Sequence, residues 1–329
     1  TDSGKKRMQN SVAIIVRTKD RPRFLERALA NIAAQTYPQV KTVVVNDGGD
    51  AATVDRLIEA SALSNVQVIH HEISRGMEAA SNVGIRACAS EFIAIHDDDD
   101  LWEPTFLEKT VAALEENDDV MVVVRTDEYF EKITESGFEF VESRPFWENL
   151  QGMNVVDFFR INRAVPIGIL YRRRLLDEIG YYNETLPVVG DWEFNVRVAS
   201  KHKVLFLQEN LAHWSKRLNA TGTDSNSVYA AAQEHKFFDA RVRSDAVREH
   251  LAQGGHLGPY LTNAHLANEV QEAVHHSHEL LHDVLNRLER IEATQREQAA
   301  RLERVERALS VRGRARTITT KLQRLAQRR

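Results

Sequence analysis

The stretch that decides the fold is Phe92-Ile93-Ala94-Ile95-His96-Asp97-Asp98-Asp99-Asp100-Leu101-Trp102. An apolar run of strand length ends here in four consecutive aspartates, whose like charges repel one another. A divalent cation, a group of basic residues or exposure to water relieves such repulsion, and a solvated acidic loop is the common case. This run follows a buried-type strand, and open α/β sheets bind ligands beyond the carboxyl ends of their strands. The position therefore predicts a ligand site where a hard cation meets carboxylate oxygens.

Strand and helix patterns alternate on both sides of this stretch. Continuous apolar runs of strand type are Val12–Val16, Thr42–Val45, Val66–Ile69 and Val120–Val124. Residues with helical period follow Pro22, Asp50, Gly76 and Thr105. This alternation predicts a mostly parallel sheet with helices on both faces. Polar loops that contain aspartate follow three of the strands, so we expect them to meet along one edge of the sheet.

The alternation lapses in the second half of the chain. Residues 127–165 are aromatic-rich and are predicted to be irregular, as in an acceptor-side subdomain or lid. A strand is predicted at Pro166–Tyr171 and a helix opens near Asp191, which either caps that helix or has a chemical role. Val204–Leu207 is predicted to be the last strand, with His213, Trp214 and Arg217 just beyond it.

Composition excludes several classes of protein. The 329 residues are 43% hydrophobic and 28% charged, with a net charge of −5, as in soluble globular proteins. No apolar run has the length of a membrane span or of a signal-peptide core. The single cysteine, Cys88, excludes an intrachain disulfide and favours a reducing, cytoplasmic location. The polar residues 1–10 are predicted to be a disordered lead-in.

Taken in order, the segments of residues 11–221 resemble the family-2 glycosyltransferases of GT-A fold. The segments that carry the resemblance are Val12–Pro22, Val43–Asp50, Arg75–Asn82, Phe92–Trp102, Pro166–Tyr171 and Gly190–Arg197. Each is weak alone, and their common order makes the signal specific. The resemblance implies a GT-A nucleotide-diphosphosugar transferase fold, a mostly parallel sheet flanked by helices, with a helical C-terminal extension.

The resemblance also assigns residues to the nucleotide-sugar donor. Thr18 and Asp47 stand where the family holds the nucleobase, and Arg75 stands near the base and the diphosphate. Asp97 and Asp99 match the Asp-x-Asp motif, which implies that Asp97, with Asp98 beside it, binds nucleotide. Asp99 is then the direct ligand of Mn²⁺ or Mg²⁺.

On the acceptor side, Asp191 matches the general base that takes the proton of the acceptor hydroxyl in an inverting displacement. His213 and Arg217 lie where the family often places a diphosphate contact, and a surface position is the alternative for both. The family often has Glu before the base, whereas Gly190 stands here, which removes one acidic neighbour of Asp191. The Gln-x-x-Arg-Trp motif of processive synthases is absent, which favours transfer of a single sugar.

The residues after 221 form an appendage of three predicted parts. Residues 222–278 are a linker and helical region, 279–310 a coiled coil and 311–329 a basic amphipathic tail. The coil has Leu281, Leu288, Gln295, Leu302 and Leu309 at one core position and Val284, Ile291, Gln298 and Val305 at the other. This pattern predicts a parallel homo-oligomer through residues 281–309. A single amphipathic helix lying on its own domain is the alternative.

The tail carries seven Lys or Arg residues and no acid from Ser310 to Arg329, with Ile318, Leu322 and Leu325 on one side. Such a segment suits an anionic membrane surface, so peripheral attachment to the inner face of the cytoplasmic membrane is one prediction. A protein partner and disorder at the chain end are alternatives. Nucleic acid is not expected as a partner because no aromatic platform accompanies the charges.

The sequence thus predicts a metal-dependent inverting glycosyltransferase that acts on a nucleotide-sugar of UDP, dTDP or GDP. Its acceptor would be a hydroxyl of a glycan or a lipid-linked molecule, in bacterial surface polysaccharide biosynthesis. Two alternatives remain. One is a sugar nucleotidyltransferase, although Thr18–Pro22 lacks the Gly-rich loop typical of that class. The other is a catalytically silent nucleotide-binding scaffold that assembles through its coil.

Overall fold

The structure, a computed structural model, describes residues 10–217, 220, 222 and 232–327. Residues 1–9 of the lead-in predicted at residues 1–10 lie outside the described residues. The chain divides into two compact units, Thr1–Ala246 and Val247–Arg329. Each unit is described by itself.

The first half of the first unit is a parallel α/β arrangement, as the alternating pattern predicts. The four neighbouring parallel strands are β1 Val12–Thr18, β2 Val40–Asp47, β3 Val66–His71 and β4 Phe92–Asp97. Their order across the sheet is β3-β2-β1-β4. The connecting helices are α1 Pro22–Ala33, α2 Ala51–Ala60 and α3 Met77–Arg86. The carboxyl ends of these strands therefore share one edge of the sheet.

The second half continues the same sheet with strands of both directions. The sheet runs on from β4 as β8-β6-β9-β5, and β7 pairs with β6. These strands are β5 Leu101–Trp102, β6 Met121–Thr134, β7 Gly137–Pro145, β8 Ile169–Arg172 and β9 Leu205–Arg217. The helices are α4 Phe106–Glu115, α5 Val155–Arg160, α6 Leu175–Ile179 and α7 Gly190–Lys201. The sheet is therefore mixed, since β8 runs antiparallel to both β4 and β6.

Two predictions for this half are wrong in detail. Residues 127–145, predicted to be irregular, form most of a β-hairpin made by β6 and β7. Its outer strand is largely exposed, so the apolar pattern that marks a buried strand is missing there. His213 and Arg217 lie within β9 and not beyond it, because that strand continues for 13 residues through polar positions.

Alternate residues of the central strands pack into two apolar layers, one on each face of the sheet. Val12, Ile14 and Val16 contact one layer, and Ala13 and Ile15 the other. This two-sided burial is why β1 has a continuous apolar sequence in place of an alternating one. The site residues that follow these strands are thus held by a rigid core.

Beyond β9, two helices, α8 Ala232–Ala252 and α9 Gly258–Ala326, account for most of the remaining described residues. Gly254 and Gly255 lie between the two helices, with Gly254 at φ +90°, and α9 begins at Gly258. At 1.5 Å per residue, the 69 residues of α9 span roughly 100 Å. This helix passes the predicted boundary between coil and tail at residues 310 and 311 without interruption. Within the described residues, no helix is both long and apolar enough to cross a membrane.

Candidate active site

The first group of site residues meets where β1, β2 and β4 end. In the pairing register, Thr18 lies opposite Asn46 of β2, and Arg17 lies opposite Asp97 of β4. The Thr18 hydroxyl lies close enough to the side chain of Asp98 to favour its ionised form. The structure therefore brings Thr18 and the acidic run together at one edge.

Arginine side chains surround the acidic run. Arg17 donates two hydrogen bonds of 2.7 Å to Asp97, from Nε to Oδ1 and from Nη2 to Oδ2. Arg21 pairs with Asp98 and also donates to Asp99 Oδ2 at 3.1 Å. Arg217 donates to the same Asp99 oxygen at 2.6 Å, and its side chain is fully buried. Basic residues are therefore one of the means by which the repulsion among these aspartates is relieved.

Three of the four aspartates of the run have shifted pKa values. Burial raises the pKa of Asp98 to about 7 and that of Asp100 well above its ordinary value. Burial also disfavours the Asp99 carboxylate, but Arg21 and Arg217 outweigh it and lower the pKa of Asp99 to about 2. The two arginines therefore hold Asp99 in its ionised form at the edge.

Asp47 forms a second cluster, with the loop before α3. Its two carboxylate oxygens accept four hydrogen bonds, which their lone pairs can just accommodate. The donors are His71 Nδ1, Ser74 Oγ and the backbone N–H groups of Arg75 and Gly76, at 2.7 to 3.0 Å. Burial opposes ionisation, yet these bonds lower the pKa of Asp47 below its ordinary value. Asp47 thus orients the loop on which the exposed Arg75 stands.

Asp191 lies in the first turn of α7, and its side chain is partly exposed. Asn162 Nδ2 donates to Asp191 Oδ2 at 2.8 Å. Burial raises the pKa of Asp191, while the Trp192 N–H, Arg17 and Asn162 partly offset that rise. A carboxylate with a raised pKa is a stronger base, as general-base chemistry near neutral pH requires.

The backbone just before Asp191 is strained. Val189 has φ +59°, the left-handed region that a β-branched residue rarely adopts. Such conformations cost roughly 1–3 kcal/mol and persist where surrounding structure enforces them, as at many active sites. The strained backbone at Val189 therefore indicates that the surrounding structure constrains the turn that carries Asp191.

The space beside Gly190 is occupied by an acidic side chain from another helix. A Cβ atom added to Gly190 would lie 2.4 Å from Oε1 of Glu78. Glu78 comes from the first turn of α3 and is only 4% exposed. A carboxyl group from another helix therefore lies beside the turn that carries Asp191.

The structure separates the two residues proposed for the diphosphate. Arg217 contacts Asp99, whereas His213 Nε2 pairs with Glu103 at 2.9 Å. Four residues of strand put His213 roughly 13 Å from Arg217 along β9. Arg217 therefore belongs to the acidic edge, and His213 belongs to a neighbouring surface.

Sequence reasoning missed Arg17, Arg21, Glu78 and Asn162. A signal existed for Arg17, because a charged residue near the end of an otherwise apolar strand needs a partner. Arg21 follows in the same loop and had no separate signal. Glu78 looks like a favourable acid in a helix N-terminal turn, and only the tertiary structure reveals its burial.

The acidic edge fits a metal ion that is shared with a substrate. No group of three or more His, Cys, Asp or Glu side chains that could hold an ion is present among the described residues. Mg²⁺ commonly takes one or two carboxylates and completes its shell with phosphate oxygens and water. The ionised Asp99 supplies such a ligand, although Arg21 and Arg217 compete for its Oδ2 atom.

Comparison with known proteins gives the family. The model of glycosyl transferase family 2 matches residues 13–180, just over half of the 329 residues. The chain belongs to glycosyl transferase family 2. The GT-A fold is confirmed with it, together with the enzyme class, glycosyltransferase. Asp191 lies beyond the matched segment.

Two relatives illustrate the similarity in sequence. An uncharacterised glycosyltransferase of Bacillus subtilis, YwdF, is 29% identical over 193 residues, 59% of this chain and 69% of the relative. One from Haemophilus influenzae is 25% identical over 230 residues, which cover 66% and 68% of the two chains.

Solved structures of S. aureus TarS share the fold. The complex of TarS residues 1–349 with UDP has a TM-score of 0.51 at 20% identity, covering 62% of this chain and 60% of TarS. The complex with UDP-GlcNAc has a TM-score of 0.52 at 19% identity and covers 66% and 61%. The chain thus spans about three fifths of the solved TarS fragment.

Proposed function

We propose that this family-2 member is a metal-dependent inverting enzyme that moves one sugar from a nucleotide diphosphate to an acceptor hydroxyl. The acceptor is a hydroxyl of a glycan or a lipid-linked molecule, and the setting is bacterial surface polysaccharide biosynthesis. UDP is the first nucleotide to test, because TarS has been solved with UDP and with UDP-GlcNAc. The alternatives dTDP and GDP fit the same chemistry.

One observation carries this proposal: Arg17 couples the two acidic groups that the reaction needs. Its guanidinium binds Asp97 and also acts electrostatically on Asp191. The donor edge and the base are therefore close enough to work on one substrate pair. A protein that only binds nucleotides has no need of an aspartate with a raised pKa beside its nucleotide site.

On the donor side, Thr18 and Arg75 would hold the base, with Asp47 orienting the loop that carries Arg75, and Asp97 would hold the ribose. Arg217, and Arg21 beside it, would turn from Asp99 to the diphosphate oxygens, since guanidinium groups bind phosphate well. Asp99 would hold Mn²⁺ or Mg²⁺. When bound, such an ion supplies positive charge that stabilises the departing diphosphate.

On the acceptor side, Asp191 would accept the proton of the attacking hydroxyl as the new bond forms at the anomeric carbon. Asn162 orients its carboxylate through the bond to Oδ2. The base and the leaving diphosphate then stand on opposite faces of the sugar, so the anomeric configuration inverts.

The second unit would set where the enzyme works. Its helix carries exposed apolar residues at coil positions, among them Leu281, Leu288 and Leu302. We propose that residues 281–309 assemble copies of the chain and that the basic tail meets an anionic membrane surface in the cytoplasm. Leu325 of that tail lies outside the side chains that the structure describes.

The proposed function is tested by measuring turnover of the sugar donor and the anomeric configuration of the sugar that is released. We would incubate the chain with Mn²⁺ and UDP-GlcNAc, dTDP-glucose or GDP-mannose, and follow the released sugar by NMR. Because each sugar is α-linked in the donor, inversion gives the β anomer first. The α anomer appearing first, or no turnover of any donor, would contradict the proposal.

Asp191→Asn tests the base. We expect turnover to fall about 10²- to 10⁴-fold, the usual contribution of general-base catalysis, while nucleotide binding stays intact. Asp177→Asn, which changes an exposed aspartate of α6, is the matched control and retains turnover. Equal turnover in both variants would remove Asp191 from the mechanism.

A further inference from the structure

Glu78 is a buried acid for which the mechanism above has no role. Its side chain fills the space that Gly190 leaves open: a Cβ atom on Gly190 would lie 2.6 Å from Cδ and 2.7 Å from Cγ of Glu78. The carboxyl of Glu78 thus packs directly on the backbone of the first turn of α7, one residue before Asp191.

Charged groups from three elements face this carboxyl. Arg17 of β1 lies 3.6 Å from Oε2, which has no hydrogen-bond partner within the described part of the chain. Asp97 of β4 and Asp191 and Glu193 of α7 act on it as like charges. Burial, the largest effect, raises the pKa of Glu78 to about 8 despite Arg17. Glu78 is therefore protonated at neutral pH and adds no second negative charge beside the base.

A second set of contacts ties α3 to the segment that leads into α7. Asn82, one turn after Glu78, hydrogen-bonds both backbone groups of Tyr182, at 3.0 Å and 2.9 Å. The strained Val189 follows at the end of the same segment. Glu78 and Asn82 hence hold both ends of the connection that positions Asp191.

We propose that Glu78 is a positioning residue for Asp191: its buried carboxyl seats the first turn of α7 and limits the base to the pH range in which Glu78 keeps its proton. This role rests on the proposed transferase function. When Glu78 ionises, a second negative charge arises next to Asp191 and draws Arg17 away from Asp97. Turnover then falls on the alkaline side.

A purely structural acid would behave differently. If Glu78 only filled the space beside Gly190, glutamine, which has nearly the same volume, would preserve turnover at every pH. A structural partner of Arg17 requires negative charge, so glutamine would fail at every pH. The proposed role predicts a third result, in which glutamine serves and moves the alkaline limit.

The experiment compares Glu78→Gln and Glu78→Ala with the wild type and with Glu59→Gln, an exposed control on α2. Turnover of the donor that the NMR assay identifies is measured against pH. In the wild type we expect an alkaline limb near the pKa of Glu78, about 8. Glu78→Gln moves that limb upward by about one pH unit or more, and Glu78→Ala loses about tenfold or more at neutral pH.

A second readout needs no turnover. The free energy of unfolding in urea is measured across pH for Glu78→Gln and for the wild type. The difference between the two values is expected to follow the protonation of Glu78. The native pKa is raised from 4.5 to about 8, so wild-type stability is lost relative to Glu78→Gln as pH rises through that window. Glu59→Gln shows no such trend.

The outcomes separate this inference from the proposed function. An active wild type with the same alkaline limb in Glu78→Gln, or a folded Glu78→Gln that is inactive at every pH, overturns the role of Glu78 alone. If the difference in unfolding free energy between Glu78→Gln and the wild type does not change with pH, Glu78 does not carry the proposed proton. Absence of turnover of any donor by the wild type overturns the function and this role together.

Discussion

At the scale of single residues, the charge state of each acid follows from its neighbours more than from its type. Asp99 is ionised because two arginines outweigh burial, whereas Asp98, also paired with Arg21, has its pKa raised by burial. Burial raises the pKa of Asp191 as well, and the Trp192 N–H, Arg17 and Asn162 moderate that rise. Burial and the local hydrogen-bond donors together therefore set the charge state of Asp191.

The pH dependence of Asp191 provides a test at this scale. Asn162 stabilises the carboxylate, so its removal raises the pKa of Asp191 further. Asn162→Ala is expected to move the acid limb of turnover to higher pH by about 0.5–1 unit, because the base is then protonated over a wider range. Asn117→Ala, at an exposed asparagine just after α4, leaves that limb in place. Coincident acid limbs would exclude Asn162 as the partner of the base.

At the scale of elements, the close approach of α3 and α7 depends on one glycine. Gly190→Ala adds a Cβ that meets the Glu78 carboxyl, so we expect a loss of about 1–3 kcal/mol in the free energy of unfolding. Gly152→Ala is the control, since nothing lies within 4 Å of a Cβ there. Combining Gly190→Ala with Glu78→Ala removes the clash and recovers part of that loss. Equal stability of the two single variants would show that the helices do not meet as described.

The elements also show how far sequence reasoning reaches. Val12–Val16 and Phe92–Ile95 were predictable as strands because burial on both faces demands continuous apolar sequence. Because the predicted strands are parallel, the residues at their carboxyl ends, Thr18, Asp47 and the acidic run, were predictable at one edge of the sheet. The hairpin of residues 121–145 was missed because its outer strand is exposed and carries no such pattern. Arg17 and Arg21 were missed, and Arg217 was named without its partner Asp99, because nothing local in the sequence pairs these arginines with the aspartates.

At the scale of the whole molecule, α9 leaves an apolar stripe exposed over its length. Leu288 and Ile291 are 50% and 53% exposed, and Arg287 pairs with Asp283 on its own helix. A single helix cannot bury such a stripe, which favours self-association. The heptads also give Arg287 and Glu292, and Arg301 and Glu306, the spacing of interchain pairs in a parallel coil, and these pairs are a prediction.

Light scattering tests the assembly. We expect the wild type to have a mass of two or more chains, and Leu288→Glu to shift the mass toward a single chain by placing charge in the core of the coil. Arg290→Glu changes an outer position of the same heptad and keeps the wild-type mass. A wild type with the mass of one chain at every concentration would refute the coil.

The central claim, a nucleotide-sugar site completed by a metal at Asp99, is tested most directly by calorimetry. UDP, dTDP and GDP would be titrated into the wild type and Asp99→Asn, with and without Mn²⁺, with Asp118→Asn as an exposed control. Asparagine keeps the size of the buried side chain and so limits the cost of unpairing Arg217. The account predicts tight binding of one nucleotide that requires Mn²⁺ and is lost only in Asp99→Asn. Binding of no nucleotide, or equal binding by Asp99→Asn, would contradict it.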